Sequence, residues 1–254
     1  MKKTYAVISD IHGNLLALLA VLKNIHARQI DTIINLGDHF FGALEPEGVA
    51  FVLRENPMLN IRGNTDREIL ESLGTISKKD QMERVKGELS AQSINFLENL
   101  PLTLTVDDLI FVCHGTPDND NEYLLEKVTE KGVFVYNDEE LIAKTKHINE
   151  RIILCGHSHV NRVVHLSNDK IILNPGSVGL PAYLGNGEHR FAMESMTPHA
   201  KYAIIHVDGP AISIEQVHCA YDWHRASAAA KSNGSDAWAE FLLYGRMPKK
   251  LRVD

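Results

Sequence analysis

The sequence predicts an α/β protein, folded as a four-layer α-β-β-α sandwich, and three observations predict it. Two apolar runs near the start, residues 5–8 and 32–36, are joined by an amphipathic stretch, the pattern of a parallel βαβ unit. Beyond residue 160 the period changes to short strands paired about tight turns, which need a second, largely antiparallel sheet. Helical spacing recurs in between and at the C-terminus, so helices cover the outer faces.

Taken in order, residues 5–8 are bounded by polar residues and read as a buried strand. Leu15, Leu18, Leu19, Leu22 and Ile25 form one stripe of a helix from Asn14, its cap, to about Arg28. A short helix over 46–55 stops at Asn56-Pro57, and a third strand leads into Arg62-Gly-Asn-Thr-Asp66. Residues 67–100 are polar with helical spacing and end at Pro101; Asp107-Asp108 marks a hairpin between 102–106 and 109–113. Residues 116–122 form a solvated loop whose acids do not match an EF-hand. Asp138 is expected to cap a helix reaching about His147. Hairpins follow at 162–173 and 201–217. Residues 185–200 are aperiodic and are expected to be a surface loop or lid. The chain turns helical from Ala220, with Trp223, Trp238, Phe241 and Leu242 as packing residues. No linker or internal repeat divides it, so 1–254 reads as one domain with a helical segment at 220–254.

The composition is that of an ordinary globular protein, 44% hydrophobic and 23% charged. A formal charge of −7 argues against a general nucleic-acid or anionic-membrane surface, which would need clustered Lys and Arg. The N-terminus runs straight into the first strand, leaving no room for a signal peptide, and no apolar run approaches membrane-spanning length. Three cysteines without paired spacing suggest a reducing compartment, and the expected location is cytoplasmic. Cys113 and Cys155 read as small buried hydrophobes.

Five apolar runs end in residues able to bind a metal. Asp10 and His12 close the first, at i and i+2; while the backbone stays extended, such side chains point to the same side. Asp38, Asn64 and His114 close the next three, and His157 and His159 close the fifth, again at i and i+2. In open α/β sheets ligands gather beyond the carboxyl ends of the strands, so five strands side by side would converge these seven donors. Seven exceed the roughly four that one zinc-like ion takes, and suit two ions sharing a carboxylate.

With these residues assembled, the sequence resembles the calcineurin-like metallophosphoesterases. The pattern stands here as Asp10-Ile-His12, Gly37-Asp38, Gly63-Asn-Thr-Asp66, His114 and Gly156-His-Ser-His159. Phe40-Phe-Gly42 and Asn174-Pro-Gly-Ser177 resemble the small bacterial phosphodiesterase-like branch. The resemblance implies a sandwich of two mixed sheets flanked by helices. It also implies a first metal on Asp10, His12 and His159, a second on Asn64, His114 and His157, and Asp38 bridging both. Mixed oxygen and imidazole donors suit two divalent ions, manganese first and iron, zinc, cobalt or nickel as alternatives. His26, His165 and His206 fall outside the pattern.

The implied activity is hydrolysis of a small phosphodiester, nucleotide or dinucleoside polyphosphate by a metal-bridging hydroxide, without a phospho-enzyme. The expected partner is a small phosphorylated substrate rather than a membrane or nucleic acid; a homo-oligomer stays open. Thr65 stands where many relatives have histidine, and cannot serve as a general acid near neutral pH. Either the leaving group is good, or another residue supplies the proton, His39 being nearest in sequence; a loop histidine is the other reading of His39. Arg62 is a candidate phosphate clamp or a salt-bridge partner of Asp66. A serine/threonine-type protein phosphatase, a nuclease and a non-catalytic scaffold of the same fold are the alternatives.

Overall fold

The computed structural model describes residues 2–77, 80–186 and 188–248. Alternation along β1 (Lys2–Ile8) sets the layering: Tyr5 and Val7 enter one core, Ala6 and Ile8 another. A strand apolar on both faces must be covered twice. On one side lies α1 (Leu15–Ala27), which packs Leu18, Val21, Leu22 and Ile25 and returns the chain to β2 (Thr32–Asn35), parallel to β1. Then come α2 (Pro46–Glu55), β3 (Leu59–Asn60), α3 (Asn64–Glu71), α4 (Asp80–Glu88) and α5 (Ala91–Glu98). Val49, Ile69, Met82, Val85 and Leu97 from these helices join the same outer core.

The second sheet begins with β4 (Leu104–Val106) and β5 (Ile110–Val112). Asp107 and Asp108 between them both take positive φ, 56° and 51°, as a type I′ turn requires. A small hairpin the sequence did not reveal, β6 (Glu126–Thr129) with β7 (Gly132–Val135), precedes α6 (Asp138–Lys144). The cap of α6 is Asn137 rather than Asp138, and the helix ends at Lys144, short of His147. Asn137 lies in extended backbone and accepts from Glu140 N, while Asp138 turns to the backbone and hydroxyl of Ser167. The chain continues through β8 (Ile152–Leu154), β9 (Arg162–His165), β10 (Ile171–Asn174), β11 (Ala182–Asn186), β12 (Arg190–Glu194), β13 (Ala200–Asp208) and β14 (Ala211–Cys219). It closes with α7 (Trp223–Ser232) and α8 (Asp236–Tyr244).

Four layers form as expected, but the strands are dealt differently. One sheet has the order β14-β13-β1-β2-β3 and the other β4-β5-β8-β10-β9. The 201–217 hairpin therefore joins the first sheet, β13 running antiparallel to β1, and the 162–173 hairpin joins the second. The second sheet is mixed rather than largely antiparallel, because β10 pairs parallel with β8, as β5 does. The five ligand-bearing strands do not lie side by side: β1, β2 and β3 belong to one sheet, β5 and β8 to the other. Val7, Ile34, Leu36, Val112, Ile152 and Leu154 fill the space between the sheets, so two sets of strand ends are brought face to face.

Overlapping the expected loop, β11 pairs antiparallel with β12 as a hairpin, and the stretch after Glu194 lacks regular structure before β13. The β11 side packs on Trp238, Phe241 and Leu242 of α8; Trp223 is half-buried. Residues 249–254 of the expected C-terminal segment lie outside the described residues. Cys113 and Cys155 are buried among Ile153, Ile172 and Leu141, as expected of small hydrophobes. Among the described residues no helix is long and apolar enough to cross a membrane.

Asn14 fastens the first loop to the rest. Its Oδ1 caps α1 by accepting from Ala17 N at 3.2 Å, and its Nδ2 donates to Gly179 O at 2.9 Å. Asn14→Ala removes the cap and leaves a buried carbonyl short of a donor. It should lower stability by about 1–2 kcal/mol in urea denaturation; a change within experimental error would show that water replaces both bonds.

Candidate metal centre

The loops after β1, β2, β5 and β8, with the first turn of α3, meet at one buried point. Their approach is set by backbone. Asp10, His12, Asp38, His157 and His159 all take left-handed φ, between 51° and 64°. The side chains therefore converge from left-handed turns beyond the strands, not from extended backbone as the i, i+2 spacing suggested. Such conformations cost of order 1–3 kcal/mol each and persist only where neighbours over-determine them. Here loop grips loop: Asp10 N donates to Gly37 O, His12 N to Asp38 O, and Gly156 N to His114 O. The Asn174-Pro-Gly-Ser177 turn clamps both sides. Asn174 Nδ2 donates to Gly156 O, and Ser177 Oγ donates to Asp10 O.

Three histidines are fixed in one tautomer. His12 Nδ1 lies 2.8 Å from Phe41 O, His114 Nδ1 2.7 Å from Leu36 O, and His159 Nδ1 2.6 Å from Leu180 O. A carbonyl only accepts, so each Nδ1 carries a proton, and it is Nε2 that presents a lone pair to the centre when the ring is neutral. There the Nε2 atoms of His12 and His159 stand 3.1 Å apart, and Asp10 Oδ1 is 3.2 Å from His159 Nε2. Asp10 Oδ1 is buried and has no hydrogen-bond partner among the described residues. Asp38 is divided: Oδ2 lies 3.6 Å from His12 Nε2 and Oδ1 3.5 Å from His114 Nε2. Asn64 Oδ1 adds an acceptor 3.0 Å from His114 Nε2. Acceptors crowded against acceptors repel, and a cation between them turns repulsion into attraction.

Two clusters result, Asp10 with His12 and His159, and Asp10 with Asp38 and His114. Asp10 thus reaches both, where the sequence had given it to one. They are consistent with a binuclear metal site and fit divalent ions with oxygen and imidazole donors. A proton on His114 Nε2 can meet the same need, and a metal ion would have to displace it. Burial opposes a charge on His114, but Asp38 and then Asp10 override it and raise its pKa to about 10. Burial would also raise Asp38, yet His114 and His12 hold it well below the usual carboxylate range. Burial, reinforced by His114, lowers His157 to about 4 and keeps it neutral. His157 stands beside His114, ring centroids 5.3 Å apart, and its backbone N–H donates to Asp10 Oδ2 at 3.3 Å.

The other candidates separate. Thr65 lines the cavity that opens from the centre; its N–H donates to Asp38 Oδ1 and its hydroxyl has no hydrogen-bond partner among the described residues. His39 is fully buried, not a surface-loop residue, and does not line the cavity. Its Nδ1 donates to Asp66 at 2.7 Å and its ring meets Phe96 edge-on. Arg62 does not line the cavity either, and Asp66 is held by His39 rather than by Arg62. Asp66 also accepts the N–H groups of Asp38, His39 and Gly63. Gly63 is required where it stands: a Cβ there would lie 2.2 Å from Asp38 Oδ1. The 116–122 loop is tied to α3 by Asp120, whose carboxylate takes Arg67 at 2.8 Å. His26 and His165 are exposed, and His206 bonds Glu215, all three away from the centre.

Sequence reasoning missed Tyr123 and Tyr183. Tyr123 stacks on His157 at 4.6 Å, and Tyr183 donates to His157 O at 3.0 Å. Neither carries a spacing signal, since each comes from an element remote in sequence from the residue it supports.

Comparison with known proteins agrees with this geometry. The model of the calcineurin-like phosphoesterase superfamily domain matches residues 4–209. An uncharacterized protein of Methanocaldococcus jannaschii is 30% identical, the match covering 97% of this chain and 100% of that protein. The crystal structure of a metallophosphoesterase from Sphaerobacter thermophilus superposes with a TM-score of 0.73 at 23% identity, over 96% of this chain and 99% of the other. Fold and site define the class, a metal-dependent phosphoesterase. The chain belongs to the calcineurin-like phosphoesterase superfamily.

Asp66 holds the loop that carries Asp38. Asp66→Asn replaces one acceptor oxygen by a donor that faces N–H groups. Metal affinity should fall by about ten- to a hundredfold in titration, while the circular dichroism spectrum stays that of the parent. Unchanged affinity would remove Asp66 from the support of the centre.

Proposed function

We propose that this protein hydrolyses a small phosphodiester with two divalent ions, manganese being the first choice. Asp10, His12 and His159 would hold one ion and Asn64, His114 and His157 the other, with Asp38, and Asp10 by its position, within reach of both. The observation that carries this reading is the division of Asp38, one oxygen toward His12 and the other toward His114. When bound, such a pair of ions supplies Lewis acidity toward phosphate oxygens and lowers the pKa of a coordinated water.

The protein's own part is to hold and to orient. Carbonyls of Leu36, Phe41 and Leu180 keep three imidazoles in the ligating tautomer. Thr65 lines the cavity, and its hydroxyl, buried and without a hydrogen-bond partner among the described residues, has a bond to give to a phosphate oxygen of the substrate. A buried His39 engaged by Asp66 acts as a brace for Asp38 and leaves the leaving group without a histidine acid from that loop. That supports a substrate whose leaving group is weakly basic and departs without protonation. The phosphatase reading loses weight on the same ground, since no histidine stands at residue 65.

The test is hydrolysis of bis-p-nitrophenyl phosphate beside p-nitrophenyl phosphate, with manganese and with a chelator. Chelator-sensitive turnover favouring the diester is expected. Folded protein that turns over neither ester with manganese, iron, zinc, cobalt or nickel would remove the hydrolytic reading. Asp38→Asn should lower metal content and abolish turnover, because it weakens donors to both ions; a variant with full activity would sink the two-ion model.

A further inference from the structure

The cavity opening from the metal centre measures about 830 Å³, room for a nucleotide-sized ligand, and its chemistry is uneven. One wall is aromatic. Tyr123 meets Phe191 edge-on at 5.9 Å and shares a 2.7 Å hydroxyl–hydroxyl bond with Tyr183. The remaining polar lining is mixed, with Gln81, Asn121, His189 and Ser235 beside glutamates, of which Glu122 and Glu188 are exposed at the rim and Glu126 is buried. Arg162, outside the lining, offsets Glu126 at 3.5 Å. Among the described lining residues Lys144 is the one lysine or arginine, and its Nζ sits 4.6 Å over the ring of Tyr136.

This arrangement suits one kind of ligand. Aromatic side chains give a flat ring a stacking surface. Carboxylates accept from exocyclic N–H groups. A second phosphate would extend toward Glu122 and Glu188 at the rim, with Lys144 the one lysine or arginine among the described lining residues, and like charges at close range oppose binding. We infer that the chamber takes a phosphoester carrying a flat, amino-bearing heteroaromatic group, such as a nucleobase, with its phosphate as the only phosphate. The inference rests on the phosphoesterase reading for the reaction, and it removes the polyphosphates from the substrate classes the sequence left open.

Binding tests it without turnover. Calorimetry on the manganese-loaded protein, with manganese in excess, compares AMP, ADP and ribose 5-phosphate. AMP should bind at least tenfold tighter than either. Phe191→Leu keeps apolar volume and removes the ring; it should weaken AMP fivefold or more and leave ribose 5-phosphate unchanged. Glu122→Lys, at an exposed position, should narrow the gap between AMP and ADP. ADP equal to AMP would overturn the charge selection, and ribose 5-phosphate equal to AMP would overturn recognition of the ring. Turnover of bis-p-nitrophenyl phosphate by the same preparation separates the two readings. Turnover without an AMP preference removes the chamber assignment and leaves the reaction. An AMP preference without turnover removes the reaction and leaves a nucleotide site.

Discussion

The crowding of lone pairs at one buried point is the constraint on which the rest of the structure depends. Two carboxylates, an amide oxygen and three oriented imidazoles meet with contacts of 3.0–3.6 Å among them. Such a cluster needs a positive charge among its desolvated acceptors, supplied by a proton on His114 or by a bound cation. The chain tolerates it through rigidity. Positive φ at five donors, bonds from loop to loop and the Asn174–Ser177 clamp leave the donors no room to turn away. Pre-organisation of this kind lets an ion bind without a further ordering cost.

The support reaches outward in shells of ordinary chemistry. Main-chain carbonyls choose the tautomers, Asp66 collects four N–H groups behind Asp38, and His39 closes that network against Phe96. Beyond it, the inter-sheet core of Val7, Leu36, Val112 and Leu154 keeps the two sets of strand ends opposed. Apolar packing thus fixes the distance between donors that never touch it.

The wall away from the ions is built from late or local additions: the β6–β7 and β11–β12 hairpins and α8. Together with the loop leading into β6, which carries Tyr123, they bring Tyr183, Phe191 and Trp238 to the same cavity as the donors. Trp238 lies edge-on to His12 at 5.8 Å, so the C-terminal helices are part of the enclosure of the centre and not an appendage. The aromatic wall of the cavity is therefore built by elements separate from those that carry the candidate metal donors.

The sequence by itself determined the donors, their order and the βαβ start, because each lies in a short apolar run closed by a polar residue, and such patterns are local. It also fixed the turn at Asp107-Asp108 and the cap at Asn14, which depend on neighbours within three residues. Only the tertiary structure decided which sheet each hairpin joins, that the donors come from two opposed sheets, and that Asp10 reaches both clusters. It also decided that His39 faces Asp66 in the interior and that tyrosines back His157. These choices rest on contacts between residues from 19 to more than a hundred positions apart, whose energies come from shared burial and leave no periodicity along the chain.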